Sequence, residues 1–339
     1  MPDNRKKFRI LSIDGGGIRG IIPGQILVYL ERKLQEDNPD ARLSDYFDLI
    51  AGTSTGGILT CAYLAPDDLN KEPDERRPKF TAQEAVDLYL ERGDEVFDVS
   101  LWQRIRSAGG VIDEKYSADE LEEALSDYFG DTKLSDLLKP CLVTAYDIRR
   151  RETRFFTQAT VDNRERDFFV RDVARATSAA PTYFEVARIK SLAQKPYPFV
   201  DGGVFANNPT LCAYAEARTM ENAPKAADMV ILSLGTGKIE KSYEYKNARN
   251  WGKVEWIVPV LDIMMSGVAE TVDYQLKQIY DAVNAPGQYV RIEPSLGKAN
   301  PDMDDASAGN LTALRDAGLK AVKKYKGELD RIAGLLVAE

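Results

Sequence analysis

Several short apolar runs in this chain end abruptly in glycine-bearing turns. Phe8 to Ile13 stops at Asp14-Gly15-Gly16-Gly17, Phe47 to Ala51 at Gly52-Thr53-Ser54-Thr55-Gly56-Gly57, and Met229 to Leu234 at Gly235-Thr236-Gly237. Between such runs lie longer segments with helical spacing, notably Ile21 to Glu36 and Ile58 to Leu64. A strand with no polar alternation is buried on both faces, and strands alternating with helices form a largely parallel sheet with helices on each side. The expected fold class is therefore α/β, a three-layer α/β/α arrangement around a mainly parallel sheet. Pro140 to Asp147 and Phe199-Val200 read as further strands, and Tyr289 to Ile292 as the last one.

Thr81-Ala82-Gln83-Glu84 and Ser117-Ala118-Asp119-Glu120 fit capping boxes that open two helices. Trp251 to Ala282 reads as one long or broken helix with Pro259 at a kink or boundary, and Asn310 to Leu336 as a terminal helix. With no repeat or linker in its 339 residues, residues 1–339 read as one domain. The polar, Pro-rich segment 66–80 reads as a surface loop; with the segment 98–116 it is a candidate lid.

Composition narrows the chemistry. The chain contains no histidine, which removes Ser-His-Asp triads, Cys-His dyads, His-ligated zinc and imidazole proton shuttles. Its net charge of −9 argues against a broad basic surface for nucleic acid, so no nucleic-acid partner is expected. The cysteines Cys61, Cys141 and Cys212 are scattered among apolar residues and read as buried, reduced thiols. No signal-peptide core and no run long enough to cross a bilayer is seen, so the expected location is cytoplasmic.

Gly52-Thr53-Ser54-Thr55-Gly56 fits G-x-S-x-G, in which a serine sits on a sharp strand-to-helix turn that only small neighbours permit. The alternative is a plain structural turn. Asp14-Gly15-Gly16-Gly17-Ile18-Arg19-Gly20 can gather backbone amides into an anion-binding concavity. Its glycines also satisfy the dinucleotide pattern G-x-G-x-x-G, but the second strand lacks the acidic residue that pattern needs at its end. Without an imidazole, Ser54 needs another base. Asp201, before Gly202-Gly203, is a candidate, because glycines let its loop approach another closely. An ordinary aspartate is a weak base, and partial burial would strengthen it.

Together with Thr177-Ser178-Ala179-Ala180-Pro181-Thr182-Tyr183, Asn207-Asn208-Pro209 and Ser233-Leu234-Gly235-Thr236-Gly237, these motifs occur in order from about residue 8 to about residue 290. In this the chain resembles the patatin-like phospholipase family, and plant patatins in particular. The resemblance implies a Ser–Asp dyad of Ser54 and Asp201, an oxyanion hole from Gly16 and Gly17, and supporting roles for Gly15, Arg19, Gly52, Gly56, Gly202 and Gly203. It implies a lipid acyl hydrolase acting on phospholipid, lysophospholipid or galactolipid through an acyl-serine, with no cofactor, no metal and only peripheral membrane contact. Two alternatives remain open by analogy, a cyclic-dinucleotide-activated phospholipase effector of anti-phage defence and a non-catalytic storage protein.

Three further features carry expectations of their own. The apolar stretch Trp251 to Met265 reads first as a core helix, with an acyl channel or a bilayer contact as alternatives. The cluster Arg149-Arg150-Arg151 with Arg154 reads as a solvated loop, and Asp304-Asp305 as an acidic loop with at most incidental cation binding.

Overall fold

A computed structural model describes residues 6–93, 118–158, 164–221, 223–240 and 242–338. Among the described residues eight strands form one sheet: β1 (Phe8–Ile13), β2 (Leu49–Thr53), β3 (Cys141–Asp147), β4 (Glu152–Thr157), β5 (Ala187–Lys190), β6 (Pro196–Asp201), β7 (Met229–Leu234) and β8 (Tyr289–Ile292). Their order is β5-β6-β3-β2-β1-β7-β8, with β4 paired to β3. The five strands β3, β2, β1, β7 and β8 run parallel, whereas β4, β5 and β6 join antiparallel. The fold is therefore α/β with a mixed, mainly parallel sheet. β4 and β5 escape sequence reading because half of their residues are exposed and charged residues interrupt any apolar run.

Successive residues of the central strands serve opposite faces, as a pleated sheet requires. Leu11, Ile13, Ile50, Val143, Leu232 and Leu234 pack on one side. There they meet α1 (Ile21–Leu34), α2 (Thr55–Leu64), α3 (Ala82–Glu91), α4 (Asp119–Phe129) and α5 (Val170–Thr177). Ile10, Leu49, Ala51, Leu142 and Ile231 pack on the other side. The partners there are α6 (Thr210–Ala217) and α7 (Ile257–Ala282). The last helices, α8 (Ala308–Lys324) and α9 (Lys326–Val337), lie with the first group, next to α1. Among the described residues no helix is long and apolar enough to cross a membrane.

Several boundaries differ from the sequence reading. β2 runs two residues later, and α2 begins at Thr55 rather than Ile58, because burial of Gly56 and Gly57 outweighs their poor helix propensity. Pro259 falls in the first turn of α7, where its missing N–H costs nothing, so α7 starts there instead of kinking. The terminal helix is two helices, broken at Tyr325 (φ −103°, ψ 19°). Thr81 caps α3 as expected, its hydroxyl accepting from the Glu84 amide while Glu84 bonds back. The second capping serine, Ser117, lies outside the described residues, as does the lid candidate 98–116.

The loop 66–80 follows the C-terminal end of α2, a helix length away from Ser54 at the N-terminal end, and lines neither cavity near it. It is not a lid over that residue. The turn Arg149-Arg150-Arg151 is exposed, as the sequence reading has it, and only Arg154 departs from that reading by being half-buried. Asp147 accepts hydrogen bonds from the Arg149 and Arg150 amides and pairs with the Arg150 guanidinium at 2.8 Å. Arg154 lies over Phe156 and Phe168, 5.6 and 5.5 Å from their ring centroids. Cys61 and Cys141 are buried, while Cys212 is only half-buried.

Candidate active site

One edge of β3 explains how two residues far apart in sequence come together. β4 occupies the opposite edge along Leu142–Asp147, so β2 and β6 must share this one. β2 arrives parallel and ends with Thr53 opposite Thr144; β6 arrives antiparallel and ends with Asp201 opposite Ala145. Their C-terminal ends thus meet head to head on adjacent rungs. The residue that follows Thr53 is Ser54, so its hydroxyl and the Asp201 carboxylate come to line one channel, where the hydroxyl favours the charged form of the acid. Thr144 braces the junction by donating to the Thr53 hydroxyl at 2.7 Å, since Thr53 donates to the Ala206 carbonyl at 2.6 Å.

Ser54 itself has φ 54° and ψ −123°, a left-handed conformation that costs a non-glycine residue about 1–3 kcal/mol. The flanking glycines make the turn sterically feasible. A Cβ on Gly52 would collide with the Gly56 carbonyl, and one on Gly56 with the carbonyls of Ile13 and Asp14. From outside the turn, the Thr177 hydroxyl accepts from the Ser54 amide at 2.9 Å, and Ser54 lies at the N-terminal end of α2. That end favours negative charge.

Asp201 is buried, and burial pushes its pKa up to about 7, against the Gly203 amide and the Ser54 hydroxyl, which both favour the charged form. The Gly203 bond measures 2.7 Å, and the Asp201 amide donates to the Ala179 carbonyl at 2.9 Å. Gly202, between them, packs against Thr144 with no room for a side chain.

The triple-glycine loop is pinned from behind. Thr236 donates to the Gly15 carbonyl at 2.7 Å, and the Arg19 side chain and amide both donate to the Gly16 carbonyl at 3.2 Å. In a trans peptide the N–H points opposite to the carbonyl of the same plane. The Gly16 and Gly17 amides are therefore turned the other way, and neither has an acceptor among the described residues. The neighbouring amides are spent: Asp14 on Leu234, Gly15 on Asn207 and Ile18 on Met303. Gly17 adopts φ +56° and, like Ser54 and Asp201, lines the same channel.

That channel is narrow, about 50 Å³, and apolar, with walls from Ile58, Leu121, Pro181, Phe184, Met264 and Met303. Beside it opens a polar cleft of about 860 Å³ lined by Asp14, Arg19, Asn207, Asp262, Arg291 and Glu293. Tyr183, Leu261, Met265 and Met303 form the wall common to both. Arg19 is buried at this boundary; burial lowers its pKa, and Asp262 and Glu293 are the nearest opposing charges. Its fixed contacts are those to the glycine loop, so it braces the loop. Asp304 lines the channel, whereas Asp305 accepts from Asn300 and the Ser307 amide and shapes the entry to α8.

Sequence reasoning gave no role to Arg291. It clamps Asp14 with two hydrogen bonds of 2.8 and 2.6 Å and also contacts Glu293 and Ser233. Burial pushes Asp14 up to about 6 against this clamp; burial also opposes the Arg291 charge, but Asp14 and Glu293 outweigh it. Removing one partner of such a pair strands a buried charge. Arg291→Ala should cost about 3–5 kcal/mol in urea unfolding at neutral pH, and less at pH 5, where the orphaned Asp14 can take up a proton. A nearly isolated arginine in a short last strand gives no local signal; only its pairing across β7 and β1 reveals it.

A serine on a strand-to-helix elbow thus lies beside a buried carboxylate and a glycine loop in an α/β fold. The chain belongs to the patatin-like phospholipase family, whose profile matches residues 11–214. It is 37% identical to patatin-like protein 2 of Arabidopsis thaliana, over 93% of this chain and 83% of the relative. It is 32% identical to patatin-like protein 2 of Oryza sativa subsp. indica (98% and 88%) and 34% identical to patatin-17 of Solanum cardiophyllum (96% and 89%). The crystal structure of VipD from Legionella pneumophila is similar at a TM-score of 0.35 and 12% identity, covering 94% of this chain and 67% of that one. That likeness is too low to add to the fold described above.

Proposed function

We propose that this protein is a lipid acyl hydrolase of phospholipase A or lysophospholipase type, with Ser54 as nucleophile and Asp201 as base. Ionised Asp201 takes the Ser54 proton as the hydroxyl oxygen attacks an ester carbonyl. The Gly16 and Gly17 amides stabilise the resulting oxyanion. Collapse of this intermediate expels the alcohol, a lysolipid or glycerol derivative, which receives the proton held by Asp201. Water then attacks the acyl-serine, giving its proton to Asp201, which returns it to Ser54 as the fatty acid departs.

The observation that carries this reading is the meeting of β2 and β6, which brings Ser54 into one channel with a carboxylate whose burial raises it to about pH 7. A general base works best near the operating pH, and burial supplies that match without an imidazole. The apolar channel suits an acyl chain and the polar cleft a head group of phospholipid, lysophospholipid or galactolipid type.

The test is mass spectrometry of products from mixed phospholipid and galactolipid vesicles, with and without a chelator. Matched free fatty acid and lysolipid, equal in both arms, are expected. Intact lipids after prolonged incubation, with a soluble ester also uncleaved, would reject the proposal.

A further inference from the structure

The long apolar stretch around the start of α7 is not a core helix. Leu261, Met264 and Met265 line the channel that holds Ser54, but Ile257, Val260 and Ile263 stay between 41% and 46% exposed. Val254 and Trp256, just before the helix, are 73% and 41% exposed. Trp251 packs edge-on against both Tyr243 and Trp256, with ring centroids 5.3 and 5.0 Å away, giving the ridge an aromatic flank. Contiguous apolar surface of this kind marks an interaction site.

Charge indicates what covers it. Lys246, Arg249 and Lys253 are exposed beside the ridge, and none forms an ion pair among the described residues. The acids of the same stretch, Glu244, Glu255 and Asp262, accept hydrogen bonds from Ser242, the Gly252 amide and Tyr243. Three cations with no ion pair among the described residues thus stand beside the ridge, on a chain of net charge −9.

We propose that this ridge is a docking surface for an anionic phospholipid bilayer. The inference rests on the reading of the protein as a lipid hydrolase. Apolar and aromatic residues with adjacent cations are the composition of a helix that lies in a membrane interface. One helix then serves two sides: its outer residues sit among lipid, and Met264 links that face to the channel. An acyl chain passes from bilayer to channel along apolar surface without being exposed to water.

The experiment compares wild type with the double variant Ile257→Asp/Val260→Asp, residues that line neither cavity. Co-sedimentation with vesicles of phosphatidylcholine and phosphatidylglycerol is measured beside hydrolysis of a water-soluble p-nitrophenyl ester. The expected result is binding by wild type that weakens with added salt and falls at least about tenfold in the variant, while soluble-ester hydrolysis changes by less than about twofold. Equal vesicle binding by both proteins, or none by wild type, overturns the docking surface. So does a wild-type dimer that the variant dissolves while vesicle binding persists, because the ridge then belongs to a second copy. Failure of wild type to cleave the soluble ester counts instead against the hydrolase reading, and the vesicle arm still decides the docking.

Discussion

Replacing Asp201 with asparagine should slow ester hydrolysis by about 10²–10⁴-fold while making the folded protein more stable at neutral and alkaline pH. The substitution keeps the side chain's size and its bond from the Gly203 amide, but the amide cannot take a proton from Ser54. The stability effect follows from the raised pKa of about 7. Between the unfolded value near 4 and that folded value, the native state binds more protons than the unfolded one. Stability therefore falls as pH rises through this window and stays lower above it. Asparagine removes that penalty, which is about 4 kcal/mol for a shift of this size. Urea midpoints of wild type and Asp201→Asn should coincide below pH 4 and separate by pH 8, with the variant higher. Equal midpoints at pH 8 would show that burial does not strain the carboxylate.

Ser54→Ala should have the largest effect of all, cutting lipid and soluble-ester hydrolysis by about 10⁴–10⁶-fold to a small residual rate. Alanine retains the left-handed backbone and fits the same space, so thermal stability should change by less than about 1 kcal/mol. A combined Ser54→Ala/Asp201→Asn protein should be no slower than Ser54→Ala alone, because the base has nothing to act on once the hydroxyl is gone. A further drop in the double variant would mean that Asp201 works on some other group.

Much of this site is legible in the order of residues, and the reasons are local. The G-x-S-x-G pattern and the triple glycine mark places where backbone passes so close to backbone that no Cβ fits, as at Gly52 and Gly56. Such constraints are written in the sequence one residue at a time. Asp201 was harder, since its value lies in meeting Ser54, and that meeting depends on β2 and β6 sharing one edge of β3. The motifs at Thr177, Asn207 and Thr236 were visible, yet their work was not: a hydroxyl behind the Ser54 amide, a carbonyl behind Gly15 and a hydroxyl on the Gly15 carbonyl. Arg291 gave no signal, because an arginine in a short strand looks the same whether it meets solvent or a buried aspartate. The ridge on α7 departs from its sequence reading for a related reason. Apolar spacing identifies a helix face but says nothing of whether protein, lipid or water lies against it.

The central claim, that a buried carboxylate near pH 7 activates Ser54, is tested most directly by a fluorophosphonate that traps the nucleophile. Its second-order rate of inactivation would be followed from pH 5 to pH 9, with the labelled peptide mapped by mass spectrometry. The account predicts a single adduct on Ser54 whose rate rises through one ionisation near pH 7 in wild type, with that rise absent and the rate much lower in Asp201→Asn. An adduct on Ser54 formed at the same rate and with the same pH dependence in both proteins would contradict it.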